Sequence, residues 1–208
     1  MRIQRRFGLM LVTAATGVLV FAGPASAATI NGTNGPDNIT GTNQSDDIDA
    51  RDGNDFTLGR EGDDFIDNGF GNDEAFGGKG DDDNRGKAGA DDLFGGDGDD
   101  FILGGRGSDT LVGDEGDDVL GGGTGSDDVI GKSGVDAIFP GRGTDSVKAG
   151  TGDDTIFLVE DRNADSIDCG DGDDQVLFFD NEVDSEDTFV GCENVDVVEG
   201  SIPSPDES

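Results

Sequence analysis

The sequence predicts an all-β repeat solenoid in which two nine-residue units make one coil. Aspartate recurs every nine residues without a miss, at Asp37, Asp46, Asp55, Asp64, Asp73, Asp82, Asp91, Asp100, Asp109, Asp118, Asp127, Asp136, Asp145 and Asp154. Two residues before it stands glycine in thirteen of the fourteen units, Gln44 being the exception. Two residues after it stands Ile, Leu or Val in eleven, the misses being Thr57, Ala75 and Asn84. The residue just before the aspartate alternates between two classes. Asp63, Asp81, Asp99, Asp117 and Asp153 are spaced by eighteen with only Val135 interrupting, whereas the intervening units carry Asn54, Asn72, Ala90, Ser108, Ser126 and Thr144. A fixed period marks a stacked solenoid, and an eighteen-residue superperiod is what a two-unit coil produces, one edge being more acidic than the other. Duplication of an eighteen-residue gene segment would leave the same trace.

Composition sets the problem that this fold must solve. The chain has 208 residues, 48 acidic against 13 basic, a net charge of −35, 38 glycines and only 32% hydrophobic residues. Such a balance ordinarily means disorder, but random acidic low complexity would not hold three residue types in one register. Nucleic acid is excluded as a partner, because its phosphates would be repelled.

The expected boundaries follow. Residues 1–27 read as a secretory signal peptide: Arg2, Arg5 and Arg6, a short apolar run, then Ala25-Ser26-Ala27, with cleavage before Ala28. The Arg5-Arg6 pair leaves Sec and twin-arginine export both open. No later segment is long enough and apolar enough to span a bilayer. Residues 28–157 are the repeats, 158–199 an irregular repeat and C-terminal cap, and 200–208 (SIPSPDES from Ser201 on) a disordered tail. Two extra residues precede Asp165, and CGDGDDQVL at 169–177 returns to the motif around Asp174. Cys169 and Cys192 read as one disulfide in an oxidising compartment, pinning the cap to the last coil.

Each unit can be written G-G-x-G-x-D-x-U-x, with U aliphatic, and GGDGDDFIL and GGRGSDTLV match it throughout. This resembles the haemolysin-type calcium-binding nonapeptide, the RTX repeat, over about 32–157. The resemblance implies a right-handed parallel β-roll. Each glycine-rich hexapeptide would form a turn, the last three residues a short strand, and calcium ions would lie between stacked turns. The fourteen repeat aspartates, with Asp165 and Asp174, are the expected metal ligands. The family is often exported by an uncleaved C-terminal signal, from which the N-terminal leader departs.

Physical chemistry supports calcium independently. Strands of adjacent coils lie about 4.8 Å apart, so aspartates eighteen apart would stack and repel by roughly 1–3 kcal/mol. One aliphatic side chain per unit contributes about 2 kcal/mol, whereas ordering a backbone costs about 1 kcal/mol per residue. A cation between the turns reverses the sign. Ca²⁺ takes six to eight oxygens in irregular geometry, and Mg²⁺ is stricter. With no histidine and two cysteines, zinc and copper are poor fits. If every gap filled, on the order of a dozen ions would bind, and binding energy would be folding energy. The inward Ala75 and Asn84 predict loosening near 70–90.

If U points inward, its neighbours point outward. Phe101, Leu103, Val119, Ala137, Phe139, Thr155 and Phe157 then form an apolar outer face, which predicts a cover: the segment 158–199, or another molecule. The resulting expectation is an exported, non-enzymatic calcium-binding surface, matrix or adhesion module. No G-x-S-x-G or H-E-x-x-H motif supplies a catalytic residue. A secreted hydrolase or other carbohydrate-active enzyme and a disordered acidic calcium buffer are the alternatives. Ice binding is disfavoured, because the outward positions form no threonine rank. A cell-surface or matrix partner and the oligomeric state are left open.

Overall fold

The computed structural model describes residues 19–20, 27–159, 161–179 and 186–198. Among these, twenty strands alternate between two parallel ten-stranded sheets, so that each strand pairs with the one two places on. This is an all-β parallel solenoid of about nine coils. The eighteen-residue step is literal. Phe101 pairs with Val119 and Val119 with Ala137 in one sheet, and Thr110 pairs with Asp128 in the other. The step becomes twenty where Ser146 pairs with Ser166 and Thr155 with Gln175, which accommodates the two extra residues before Asp165, and it varies after that, Ser166 pairing with Thr188 and Gln175 with Asn194.

The strands differ from the expected three residues. Among the described residues eleven of the twenty contain six, Phe101–Arg106, Thr110–Glu115 and Val119–Thr124 among them. Three-residue strands are confined to Thr29–Asn31, Asn38–Thr40, Asp47–Asp49 and Phe65–Asp67 near the start, and Thr188–Val190 near the end. Pairing continues into the glycines because neighbouring coils bring glycine against glycine, as at Gly105 and Gly123. The turn is therefore only about three residues wide. Within it Gly98 has φ +139°, and a Cβ there would strike the Gly80 carbonyl. Glycine is what lets the coils stack this closely.

The core is a narrow column. Ile39, Ile48, Ile66, Leu93, Ile102, Leu111, Leu120, Val129, Ile138, Val147 and Ile156 are fully or almost fully buried, as the U position predicts. The ladder runs through Ala75 and Asn84 without a break, pairing Thr57 with Ala75 and Ile66 with Asn84. Loosening is not what the structure shows there. The departure is instead a polar stretch of core, in which Asn68 Nδ2 donates to Asn84 Oδ1 at 3.0 Å.

The C-terminal segment adds coils. Thr155–Val159, Ser166–Asp171, Gln175–Phe179, Thr188–Val190 and Asn194–Val198 extend both sheets in line. The described part of 158–199 thus caps the end of the stack and does not fold across the apolar outer face, because its own alternating strands find paired edges there. Cys169 and Cys192 are disulfide-bonded, with Cα atoms 5.2 Å apart. On the outer face Phe139 and Phe157 stack with ring centroids 4.4 Å apart. Of the expected leader only Leu19, Val20 and Ala27 are described, Leu19–Val20 pairing with Ile39 and Thr40. The rest of the leader and the tail lie outside the described residues.

Candidate metal centres in the turns

Strand alternation decides where the repeat aspartates point. Aspartate and U are two residues apart, so both face inward. All sixteen expected ligands, from Asp37 to Asp154 with Asp165 and Asp174, are buried, each at most 5% exposed. The carboxylates therefore line the corners of the core and do not sit on the rim. Nor do they meet one another bare. From Asp55 onward, one oxygen of each accepts the backbone N–H of the aspartate one coil earlier: Asp82 N donates to Asp100 Oδ1 at 2.8 Å, Asp100 N to Asp118 Oδ1 at 2.8 Å, and Asp91 N to Asp109 Oδ1 at 2.9 Å. A hydrogen bond to a charged acceptor offsets part of the burial cost.

The ladder runs beyond the regular repeat. Asp145 N donates to Asp165 Oδ1 and Asp154 N to Asp174 Oδ1. Asp165 N then donates to Asp187 Oδ1 at 2.9 Å, and Asp174 N to Glu193 Oε2 at 3.1 Å. Sequence reasoning missed these last two carboxylates. The signal was present in DTFV at 187–190 and ENVD at 193–196, each an acid followed two residues later by an apolar residue.

The second oxygen is the informative one. Oδ2 of Asp55, Asp64, Asp73, Asp82, Asp91, Asp100, Asp109, Asp118, Asp127, Asp136, Asp145, Asp154 and Asp174 is buried with no hydrogen-bond partner. Each unpaired buried polar atom carries a desolvation cost, larger still for a charge. Around Asp100 that oxygen and the Gly113 carbonyl both crowd the point where a Cβ on Gly95 would fall. Gly113 repeats the arrangement with Asp118 Oδ2 and the Gly131 carbonyl. The first glycine of the unit thus opens a cradle of oxygens.

Burial raises the affinity of these carboxylates for protons. Desolvation pushes Asp100 up to about 8, with the Asp82 N–H opposing and the charges of Asp82, Asp118 and Asp81 adding to the rise. Asp64, Asp91, Asp118 and Asp145 are pushed to about 7 in the same way, and Asp73, Asp82, Asp127 and Asp136 to about 6. A buried anion of this kind asks for a positive partner.

The residues fit calcium. Among the described residues no three Asp, Glu, Cys or His side chains converge on one point, so a cation there would draw most of its ligands from backbone carbonyls. An all-oxygen set rich in carbonyls suits Ca²⁺, not a thiolate- or imidazole-seeking metal. The rims add a second difference between edges. Asp99 N donates to Asp81 Oδ1 and Asp117 N to Asp99 Oδ1 along one, whereas Asn72 N donates to Asn54 Oδ1 and Ser126 N to Ser108 Oγ along the other.

A family model described as the RTX calcium-binding nonapeptide repeat (4 copies) matches the chain at residues 27–57, 76–111, 85–120, 103–138 and 139–158. Together these cover more than half of it; the gap between matches is 58–75, the stretch that contains Asn68 and a shortened strand, and 1–26 and 159–208 lie outside them. No individual curated protein shows significant similarity to the chain. Register, buried carboxylate ladders and glycine cradles agree with that match, and the chain belongs to the RTX calcium-binding nonapeptide repeat family.

Proposed function

We propose that this is an exported β-roll that folds on binding calcium and serves, without enzymatic activity, as a surface, matrix or adhesion module. The observation that carries it is the buried, unpartnered carboxylate oxygen set beside a glycine carbonyl in unit after unit. The repeat aspartates from Asp55 onward, with Asp165 and Asp174, are the side chains assigned to the metal. When bound, Ca²⁺ supplies positive charge to a core that otherwise buries carboxylates. The chain positions those carboxylates through the N–H ladder and keeps the approach open with glycine. On the order of a dozen ions is the upper bound set by the number of gaps. The N-terminal leader supports export, and the apolar outer face from Phe101 to Phe157 supports a role in contact with another surface.

Calorimetric titration of calcium into the chain lacking residues 1–27, followed in parallel by circular dichroism, tests this reading. Coil should convert cooperatively to β as ions bind, because site formation and folding are one event. A spectrum without structure at saturating calcium would instead leave an acidic buffer. A spectrum already fully β in chelator would remove the coupling.

A further inference from the structure

The first two turns differ from all the regular ones. They read G-T-N-G-P-D at 32–37 and G-T-N-Q-S-D at 41–46, with threonine where the motif has its second glycine. Later units hold that position at positive φ, even when it is not glycine: Gly96 at +127°, Gly105 at +108°, Lys87 at +73° and Asp114 at +86°. Thr33 and Thr42 are not in that region, so the peptide is turned and their N–H groups point into the corner. Thr33 N lies 2.5 Å from Asp37 Oδ2 and Thr33 Oγ1 lies 3.0 Å from the same oxygen. Thr42 N lies 2.5 Å from Asp46 Oδ2, and Thr42 Oγ1 lies 3.0 Å from Asp46 Oδ1, which also accepts the Ala28 N–H at 2.7 Å.

From these contacts we infer that the turns 32–37 and 41–46 form a metal-free N-terminal cap, in which Thr33 and Thr42 occupy the place that calcium takes in later turns. The inference rests on the calcium reading above. Both Asp46 oxygens are satisfied by protein donors. Asp37 Oδ2 is likewise taken, and its Oδ1 has no partner among the described residues. A cation entering either corner would face the positive ends of an N–H and an O–H dipole and would have to displace both. Short polar side chains that bond back to their own turn are a common device of threonine. Asp37 and Asp46 therefore keep the repeat's sequence while losing its chemistry. Export would strengthen the seal: cleavage before Ala28 turns the donor on Asp46 Oδ1 from an amide into an ammonium, a stronger charge-assisted bond.

Native mass spectrometry of the chain lacking residues 1–27, at saturating calcium, gives the test. The Asp37→Asn/Asp46→Asn variant should carry the same number of ions as the parent, whereas Asp100→Asn/Asp118→Asn should carry fewer. A lower count in the first variant, with β structure retained by circular dichroism, overturns the inference and leaves the calcium reading intact. A parent that binds no ions overturns the calcium reading and this inference with it. Thr33→Val/Thr42→Val guards against a folding failure in the asparagine variant: it should lower the thermal midpoint of the calcium-loaded protein with the ion count unchanged. A count raised by those substitutions is expected only if the hydroxyls had been competing with the metal, and supports the same conclusion. An unchanged midpoint would show that the hydroxyls seal nothing and would overturn it.

Discussion

The middle of the roll and its C-terminal coils share one register but fill it differently. In the middle the three inward positions of a unit are acid, aliphatic and glycine: Asp100, Ile102 and Gly104, or Asp118, Leu120 and Gly122. At the end they are Asp154, Ile156 and Leu158, then Asp165, Ile167 and Cys169, then Asp174, Val176 and Phe178, all buried. Leu158 pairs with Phe178 in an unbroken five-residue ladder, and Phe178 meets Phe189 edge-on with centroids 5.8 Å apart. The middle gives its third inward position to a cradle for oxygens, and the end gives it to apolar volume and a disulfide. One nine-residue frame thus accommodates either an oxygen cradle or apolar volume at a single position, while its aspartate, as at Asp154 and Asp174, still buries one oxygen without a partner.

The sharpest way to break this comparison is to remove the metal and vary pH. The folded-state pKa values of the central aspartates lie above the ordinary 3.8, so the folded form binds more protons than the unfolded one. Protonation therefore contributes stability that is complete below about pH 4 and is lost as pH rises through about 6 to 8. Metal-stripped protein should show β-type circular dichroism in acid and lose it over that window, and calcium should restore it at neutral pH. Because the sequence pI is about 4.1, light scattering must show that the acid form is not merely aggregated. Structure that grows with pH in the absence of calcium would mean that the buried carboxylates are not what opposes folding.

Second in size is the disulfide, which belongs to the C-terminal side of the comparison. Its 23-residue separation corresponds to roughly 3 kcal/mol in the chain-entropy picture. Cys169→Ala/Cys192→Ala should lower urea-unfolding stability in calcium by about that amount. Hydrogen exchange should quicken at 188–198 and stay unchanged around 95–118. An equal loss in both regions would show that the terminal coils and the middle unfold as one unit.

Much of this division was legible in the sequence. The nine-residue frame, the eighteen-residue coil, the inward aliphatics and the cysteine pair all follow from spacing. The inward aspartates were within reach too, since an acid two residues from a buried aliphatic shares its side of a strand. What spacing could not show is how the carboxylate is served once inside. Its hydrogen-bond donor lies a whole coil away, as with Asp82 N and Asp100, and local composition does not reveal that bond. Strand length was misjudged for a similar reason: glycine discourages a strand in isolation but allows one when the next coil presents glycine too. Asp187 and Glu193 were hidden by the loss of the glycine turns around them, although the acid-x-apolar signature survived.

The smallest effect concerns the one place where the central core is neither apolar nor a metal cradle. Asn84 occupies a U position between Ile66 and Ile102 and is fully buried. Its Oδ1 accepts from Asn68, but its Nδ2, Asn68 Oδ1 and Thr57 Oγ1 have no partners. A buried donor without an acceptor costs about 1–3 kcal/mol, and an aliphatic side chain there would add burial of its own. Against that gain, Asn68 would lose one bond while keeping its 3.3 Å contact to the Arg85 carbonyl. Asn84→Ile should therefore stabilise the calcium-loaded protein by about 1 kcal/mol in urea unfolding, with ion stoichiometry unchanged. Destabilisation would show that the three polar side chains act together inside the roll, and that the middle of the molecule contains a third kind of core besides the metal-lined and the apolar one.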